Sequence, residues 1–382
     1  MEATTIKSNL VQGRLLPGLH GLRGIAAISV LLFHLKHIAG IELPAFFSFI
    51  ARDFGYSVHL FFIVSAFSLM YSTEKMIGRS DWICEYFIKR LFRIAPLFYF
   101  MVIFELFRQF YYGKISSSLT DIFLNISFAF GFVPFSGFVW GGWSIGVEMI
   151  FYVVFPVLLL LIRDHKMSLL FLIVSVITCY AIRSALRIQH MAAPEVHRWD
   201  WSYFSFASNF CFFAFGIYAY HIVKIVKETS VWTRMVIPVG VTCLIGSFWI
   251  WDVAKKVYSN GRLDLMLWAT AFMLLTIWQY QSPSRVVANR FFQYVGERSF
   301  SVYLLHPVFI SLPKSSIQDL YAVLLPYCGQ YAFFVCAVAV LTVVLAFSEL
   351  TYRLIEVRGI NLGRTIIHRR RQILSQQPSA VG

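Results

Sequence analysis

Residues Gly21 to His37 read GLRGIAAISVLLFHLKH. Between Arg23 and His34 stand ten residues, none charged and nearly all apolar. An imidazole in such surroundings is costly unless it has a partner, so an ionisable side chain inside a membrane helix points to function. Arg23 and His34 are eleven residues apart. At 100° per residue that is three turns plus about 20°, which puts both on one helix face, about 16 Å apart along the axis. A cation at one membrane surface thus shares a face with a histidine near mid-membrane.

The rest of the composition agrees with a membrane setting. Of 382 residues, 58% are hydrophobic and 14% charged, against about 25% charged in a soluble domain. Thirty-nine Phe, 19 Tyr and 10 Trp supply lipid-facing and interfacial bulk. The chain reads as an all-α polytopic membrane protein. Spans and short loops consume its length, leaving no room for a separate soluble domain. The net charge of +14 is explained by basic loops on one side of the membrane rather than by nucleic acid. Cys84, Cys179, Cys211, Cys243, Cys328 and Cys336 show no CxxC and no metal spacing, and most sit in apolar runs, so they read as core filler. The first 18 residues are polar and the first apolar run is long, so no cleaved signal is expected.

Spans are expected near 20–40, 55–73, 94–112, 143–162, 167–186, 203–223, 232–251, 263–281, 299–313 and 322–350. Residues 74–93 read as a charged connector. The last run exceeds what a bilayer needs, so it tilts or starts, at Pro326 and Gly329, outside the membrane. Residues 113–142 are apolar but broken by Gly131, Pro134, Gly137, Gly141 and Gly142. Charge decides their reading. As an outer loop or re-entrant segment they leave ten spans, with 22 Lys and Arg inside and 11 outside; as a further span they give 15 inside and 18 outside. The positive-inside rule favours about ten transmembrane helices with both termini cytoplasmic. The expected division is a cytoplasmic lead (1–18), a transmembrane domain (19–352) and a basic cytoplasmic tail (353–382) ending in a disordered polar segment.

Four stretches carry chemistry. His34 is either a neutral histidine bonded between helices or a general base whose ordinary pKa lies near neutrality. Lys89, Arg90 and Arg93, in YFIKRLFRIAP, are a topology anchor or a phosphate clamp, since guanidinium forks match phosphate oxygens. In WSIGVEMIFY, Trp143 is an interfacial anchor and Glu148 lies about 7 Å inside its span. That depth is within about 6 Å of His34's in a core about 30 Å thick. A buried carboxylate needs a partner, and His34, Arg183 or a cavity water are candidates. In SFSVYLLHP, Ser299, Tyr303 and His306 share a helix face, and Pro307 leaves the Tyr303 carbonyl free. His59, near the outer end of the second span, reads as reaching the headgroups. No P-loop, HExxH or dinucleotide motif appears, and no metal is expected.

LRGIAA with His34 eleven residues after its Arg, SVHLFFIVSAFSL, KRLFRIAPLFY, WSIGVEMIFYVVFP, FSVYLLHP and YRLIEVRGINLGR, in this order, resemble the membrane acyltransferase-3 family of polytopic acyltransferases. The resemblance covers about residues 15–360. It implies transfer of an acyl group, usually acetyl from acetyl-CoA, to a hydroxyl of a cell-envelope glycan or related lipid-linked acceptor at the plasma (inner) membrane. By position His34 matches the family's essential histidine and Arg23 the arginine of its first motif. Arg90 and Arg93 match the paired arginines linked to the CoA donor, with Lys89 beside them. Glu148 matches the acid of the tryptophan-serine motif, and Tyr303 and His306 its late YxxH. Two departures stand out: His59 replaces an acid found in many members, and Ser65-Ala66 replaces SG. No appended hydrolase-like domain is expected.

The expected chemistry is direct transfer. Acyl-CoA binds Arg23, Lys89, Arg90 and Arg93 as a substrate, with no tightly bound cofactor. His34 deprotonates the acceptor hydroxyl, Glu148 orients or charge-balances the imidazole, and Tyr303, His306, Trp143 or Ser144 handles substrate or oxyanion. An acyl-enzyme on His34 is the variant mechanism. The rival class is a transporter or flippase of a lipid-linked sugar using the same His and Glu, though no inverted repeat is visible. Outer loops at 183–202 and 252–262, with Arg187, Trp199, Asp200 and Trp201, are candidate sugar contacts.

Overall fold

The computed structural model describes residues 16–113, 116–133, 136–192, 201–226, 240 and 263–376. Among them there is no strand, and the fold is all-α as expected. The 232–251 span, Cys243, Trp199, Asp200, the 252–262 loop and residues 1–15 of the lead lie outside the described residues.

The principal helices, in chain order, are α1 (Pro17–His34), α2 (Ser57–Thr73), α3 (Trp82–Tyr111), α4 (Leu119–Ile126), α5 (Trp143–Leu161), α6 (His165–Ala192) and α7 (Phe206–Ile225). They continue with α8 (Leu263–Gln281), α9 (Arg290–Glu297), α10 (Ser299–Ser311), α11 (Lys314–Cys328), α12 (Ala332–Thr351) and α13 (Val357–Gln376). Six helices or joined helical runs among the described residues are long and apolar enough to cross a membrane: Pro17–Ala39, Ala45–Met76, Trp143–Leu161, His165–Ala192, Trp201–Ile225 and Lys314–Ser375. Ten crossings would also require α3, α8, the shorter α10 and the stretch at 232–251. Phe107, Val153, Val157, Leu161 and Ile177 remain more than half exposed, as side chains facing lipid tails do.

α1 stands at the centre because of its small residues. Pro17 begins it, where a missing N–H costs nothing. A five-residue π turn, Leu35–Ala39, extends it to Gly40, whose φ of 72° ends the run. A methyl group added at Gly24 would sit 2.1 Å from the Phe292 carbonyl oxygen, and one at Gly296 would sit 1.8 Å from that of His20. Backbones of α1 and α9 therefore touch, as glycine allows in membrane helix pairs where lipid gives no hydrophobic drive. The close pass sets α10, the next helix, beside α1.

The charged connector expected over 74–93 is a connector only to Asp81. The 30-residue α3 starts at Trp82 and runs through Pro96. Lys89, Arg90 and Arg93 are thus part of one rigid helix.

The described residues between 113 and 142 form short helical turns rather than one long helix. The short α4 opens with a Ser118/Asp121 capping box, and Asn125 Nδ2 donates to the Ser136 carbonyl at 2.7 Å, folding the segment back on itself. Tyr99 Oη holds the Ile126 carbonyl at 2.8 Å, and Phe130 packs on Gly146 of α5. Asn125, Phe128, Phe130, Gly131 and Ser136 are buried against the rest of the fold, while Leu119, Phe123, Phe132 and Trp140 stay exposed.

The long final run divides at Gly329 (φ 56°) into α11 and α12. The basic tail is helical to Gln376, and Gly359 and Gly363 of α13 rest on Pro96 and Phe92 of α3. Arg370 pairs with Asp81 and Arg371 with Glu85.

Candidate active site

α1 and α10 run parallel, and two polar layers lie on their seam. The first joins His34 to His306: Nδ1 of His34 lies 2.8 Å from Nε2 of His306, with the rings stacked at 27° and centroids 5.0 Å apart. His306 is fully buried and His34 partly so. His306 Nδ1 lies 3.1 Å from the Val302 carbonyl oxygen, which can only accept. In neutral imidazoles this assigns every proton. His306 Nδ1–H donates to Val302, its bare Nε2 accepts from His34 Nδ1–H, and His34 Nε2 keeps a lone pair. That nitrogen has no hydrogen-bond partner among the described residues.

The second layer lies three turns away. Arg23 Nε donates to Ser299 Oγ at 3.2 Å, and its guanidinium stands 5.9 Å from the Phe61 ring centroid. Ser301 donates to the buried Glu356 carboxylate, and Thr351 donates to Ser301 at 3.0 Å. Arg23 and Arg93 both lie within electrostatic reach of Glu356, whose second oxygen has no hydrogen-bond partner. One buried carboxylate thus faces two cations.

Glu148 is not brought to His34, and His306 takes the position at the imidazole expected of the acid. Glu148 accepts from Ser65 Oγ at 2.6 Å and from Tyr152 Oη, one turn along its own helix. It is within electrostatic reach of Arg23 and Tyr303. Arg183, the other protein partner considered for Glu148, instead donates to the Ser208 carbonyl at 2.7 Å. Ser144 Oγ donates to Tyr303 Oη at 2.8 Å, which leaves the phenol proton free to donate elsewhere. The Tyr303 ring stands 5.7 Å from that of His306. Trp143, expected at the interface, is partly buried against Tyr203 and Phe62. His59 does not reach headgroups: it is fully buried, with Nε2 3.1 Å from Asn209 Oδ1.

The basic cluster is divided. Lys89 pairs with Glu85 at 2.6 Å, and Arg90 reaches Ser72 at 3.4 Å. Arg93 makes no hydrogen bond or ion pair among the described residues and turns toward Arg23 and Glu356. Among the described residues no cluster of His, Cys, Asp and Glu could hold a metal, and Cys84, Cys179, Cys211, Cys328 and Cys336 are free thiols.

Ser65, Tyr152, Thr351 and Glu356 went unassigned in the sequence. Tyr152 stands at i+4 from Glu148, and Glu356 lies in the YRLIEVRG stretch, so both had a signal. Ser65 stands in the SVHLFFIVSAFSL stretch, but its partner comes from another helix; Thr351 had no signal.

A model of the acyltransferase domain family matches residues 16–349, most of the chain. The chain belongs to that acyltransferase family. No curated protein and no solved structure matches it. In this membrane-embedded acyltransferase the matched region contains both members of the histidine pair, Arg23, the α3 basic residues, Glu148 and Tyr303; Glu356 and α13 lie beyond it.

Proposed function

We propose that the chain moves an acyl group, acetyl in the first instance, from acyl-CoA to a hydroxyl of a cell-envelope polysaccharide or a related glycan or lipid acceptor. His34 is the general base. The observation that carries this reading is the hydrogen-bond chain Val302–His306–His34, which in neutral imidazoles leaves a lone pair on His34 Nε2. The acceptor hydroxyl gives its proton to that nitrogen, and its oxygen attacks the thioester carbonyl. The tetrahedral oxyanion takes a hydrogen bond from Tyr303, whose phenol proton Ser144 leaves available. The C–S bond then breaks, and the CoA sulfur recovers the proton from the His34 imidazolium. His306 holds the imidazole in its tautomer and shares its charge, as the acid does in a triad.

Arg23, Arg90 and Arg93 gather at one end of the bundle and suit a polyphosphate donor. Acyl-CoA is cytoplasmic, so this end faces the cytoplasm of a plasma (inner) membrane, and both termini lie there. The positive-inside balance supports the same orientation.

The test is acetyl-CoA turnover by the purified chain in detergent, wild type beside His34→Ala. Release of CoA thiol that disappears in a variant still folded and still binding acetyl-CoA supports the reading. A wild-type protein that neither binds nor consumes any acyl-CoA overturns it.

A further inference from the structure

A second charged site lies away from the histidine pair. A cavity of about 300 Å³ opens between the first turns of α3 and the far end of α13. Arg79, Arg370 and Arg371 line it, with Ile88, Ile367 and Leu374 as an apolar wall. Two acids, Asp81 and Glu85, share the site.

The charges do not balance. Glu85 is buried and faces three cations: Lys89 at 2.6 Å, Arg79 at 4.0 Å and Arg371 in a short contact. Asp81 faces Arg370 at 2.5 Å. Four cations against two carboxylates leave two positive charges over. If the network served only to fasten α13 to α3, two pairs would do it. The guanidinium groups are about half exposed (55% for Arg79, 49% for Arg370 and 53% for Arg371), so each keeps donors for a ligand. A phosphomonoester brings about −1.5 to −2 at neutral pH and matches the surplus.

The placement also suits a long ligand. Glu85 precedes Arg90 and Arg93 by five and eight residues on one continuous helix, about 7–12 Å along its axis. The same Ser80, Asp81 and Ile88 border a neighbouring groove of about 750 Å³, which runs past Arg90 to Tyr152, the residue that binds Glu148. A charged cavity with an apolar wall therefore continues into a mostly apolar groove directed at the buried polar network.

Resting on the acyl-CoA reading above, we propose that this cavity holds the 3′-phosphorylated adenosine end of the donor. Arg370 and Arg371 bind the 3′-phosphate, and Ile88, Ile367 and Leu374 cover a face of the adenine. Arg90, on the groove, then meets the diphosphate, and the pantetheine arm enters the groove. α13 lies beyond the family-matched residues, so this recognition belongs to the chain's own C-terminal helix.

The experiment compares binding and turnover of acetyl-CoA and acetyl-3′-dephospho-CoA by the full-length chain in detergent. Wild type should favour the 3′-phosphorylated donor by about ten- to a hundred-fold, the range of one or two charge-assisted hydrogen bonds. Arg370→Gln/Arg371→Gln should weaken only the phosphorylated donor and remove the preference. Arg369→Gln, one residue away and outside the cavity, should retain it. The wild-type comparison needs no variant, so a misfolded double mutant does not rescue the idea. Equal use of both donors by wild type, or an undiminished preference in the double variant, overturns the proposal while leaving the acyltransferase reading intact. Loss of anionic-lipid binding without loss of 3′-phosphate preference overturns it in favour of a headgroup site. If neither donor binds, the underlying acyl-CoA reading has failed.

Discussion

His34 and His306, 272 residues apart in the chain, share one hydrogen bond of 2.8 Å, and the Val302 carbonyl at the end of the chain of bonds fixes which nitrogens carry protons. The direction of this relay makes His34 the base and His306 its support. His34→Ala should lower kcat by about 10²–10⁴-fold, the usual contribution of a positioned base. His306→Ala should lower kcat less, by about ten- to a hundred-fold, with acetyl-CoA affinity unchanged. His306→Gln should recover part of that loss, because its amide oxygen can accept from His34 Nδ1–H. Equal kcat in wild type and His306→Ala would remove His306 from the mechanism.

Tyr303 and Ser144 should separate cleanly. Tyr303→Phe removes the donor available to the oxyanion and should cost about 10²–10³-fold in kcat, as loss of one oxyanion donor does. Ser144→Ala leaves the phenol in place and should cost under tenfold. Pre-steady-state thiol release with acetyl-CoA and acceptor measures both.

Glu148 is held by Ser65 and Tyr152. Glu148→Gln retains a side-chain oxygen for those donors but removes the charge. Fold stability should change by about 1–3 kcal/mol, the scale of hydrogen bonds to a charged group, while turnover falls further than Tyr152→Phe makes it fall. Thermal unfolding in detergent alongside CoA release reads the two effects separately. If Tyr152→Phe and Glu148→Gln lower turnover alike, the carboxylate acts only as a packing partner.

The glycine contact between α1 and α9 positions both polar layers. Gly24→Ala and Gly296→Ala each place a methyl group within 2.1 Å of backbone oxygen, so a helix must move. Each should destabilise by at least about 1–3 kcal/mol, the usual scale of overpacking. Gly78→Ala makes a useful contrast. Its φ of 92° strains any side chain, yet it has open space around it, so its cost is purely local. Melting temperatures in one detergent rank the three, and a Gly24→Ala variant as stable as wild type would contradict the packing.

Most of the architecture was readable because membrane spans are written in composition: the apolar runs, the glycine-broken stretch after Tyr112 and the break near Gly329 all correspond to structural features. α3 starts at Trp82, twelve residues before the expected span, because a run of charge reads as loop when its partners are out of sight. Lys89, Arg90 and Arg93 are good helix formers, and Glu85 and α13 supply partners that keep the helix going. The tail helix is held in the same way: Arg370 and Arg371 face acids that arrive more than 280 residues earlier in the chain.

The sequence by itself determined that the chain is helical and membrane-embedded, that Arg23 and His34 share one face, and that Glu148, Tyr303 and His306 are polar groups within apolar helices. Helical periodicity and the cost of burying charge suffice for these, since both act within one segment. Which of these groups meet was decided only by tertiary structure. Glycines on α1 let α9 approach to backbone contact, and that approach sets α10 parallel to α1. His306 therefore meets His34, while Glu148 faces Ser65 and Tyr152 instead. A hydrogen bond needs its atoms within about 3 Å, and depth in the membrane leaves the in-plane distance free.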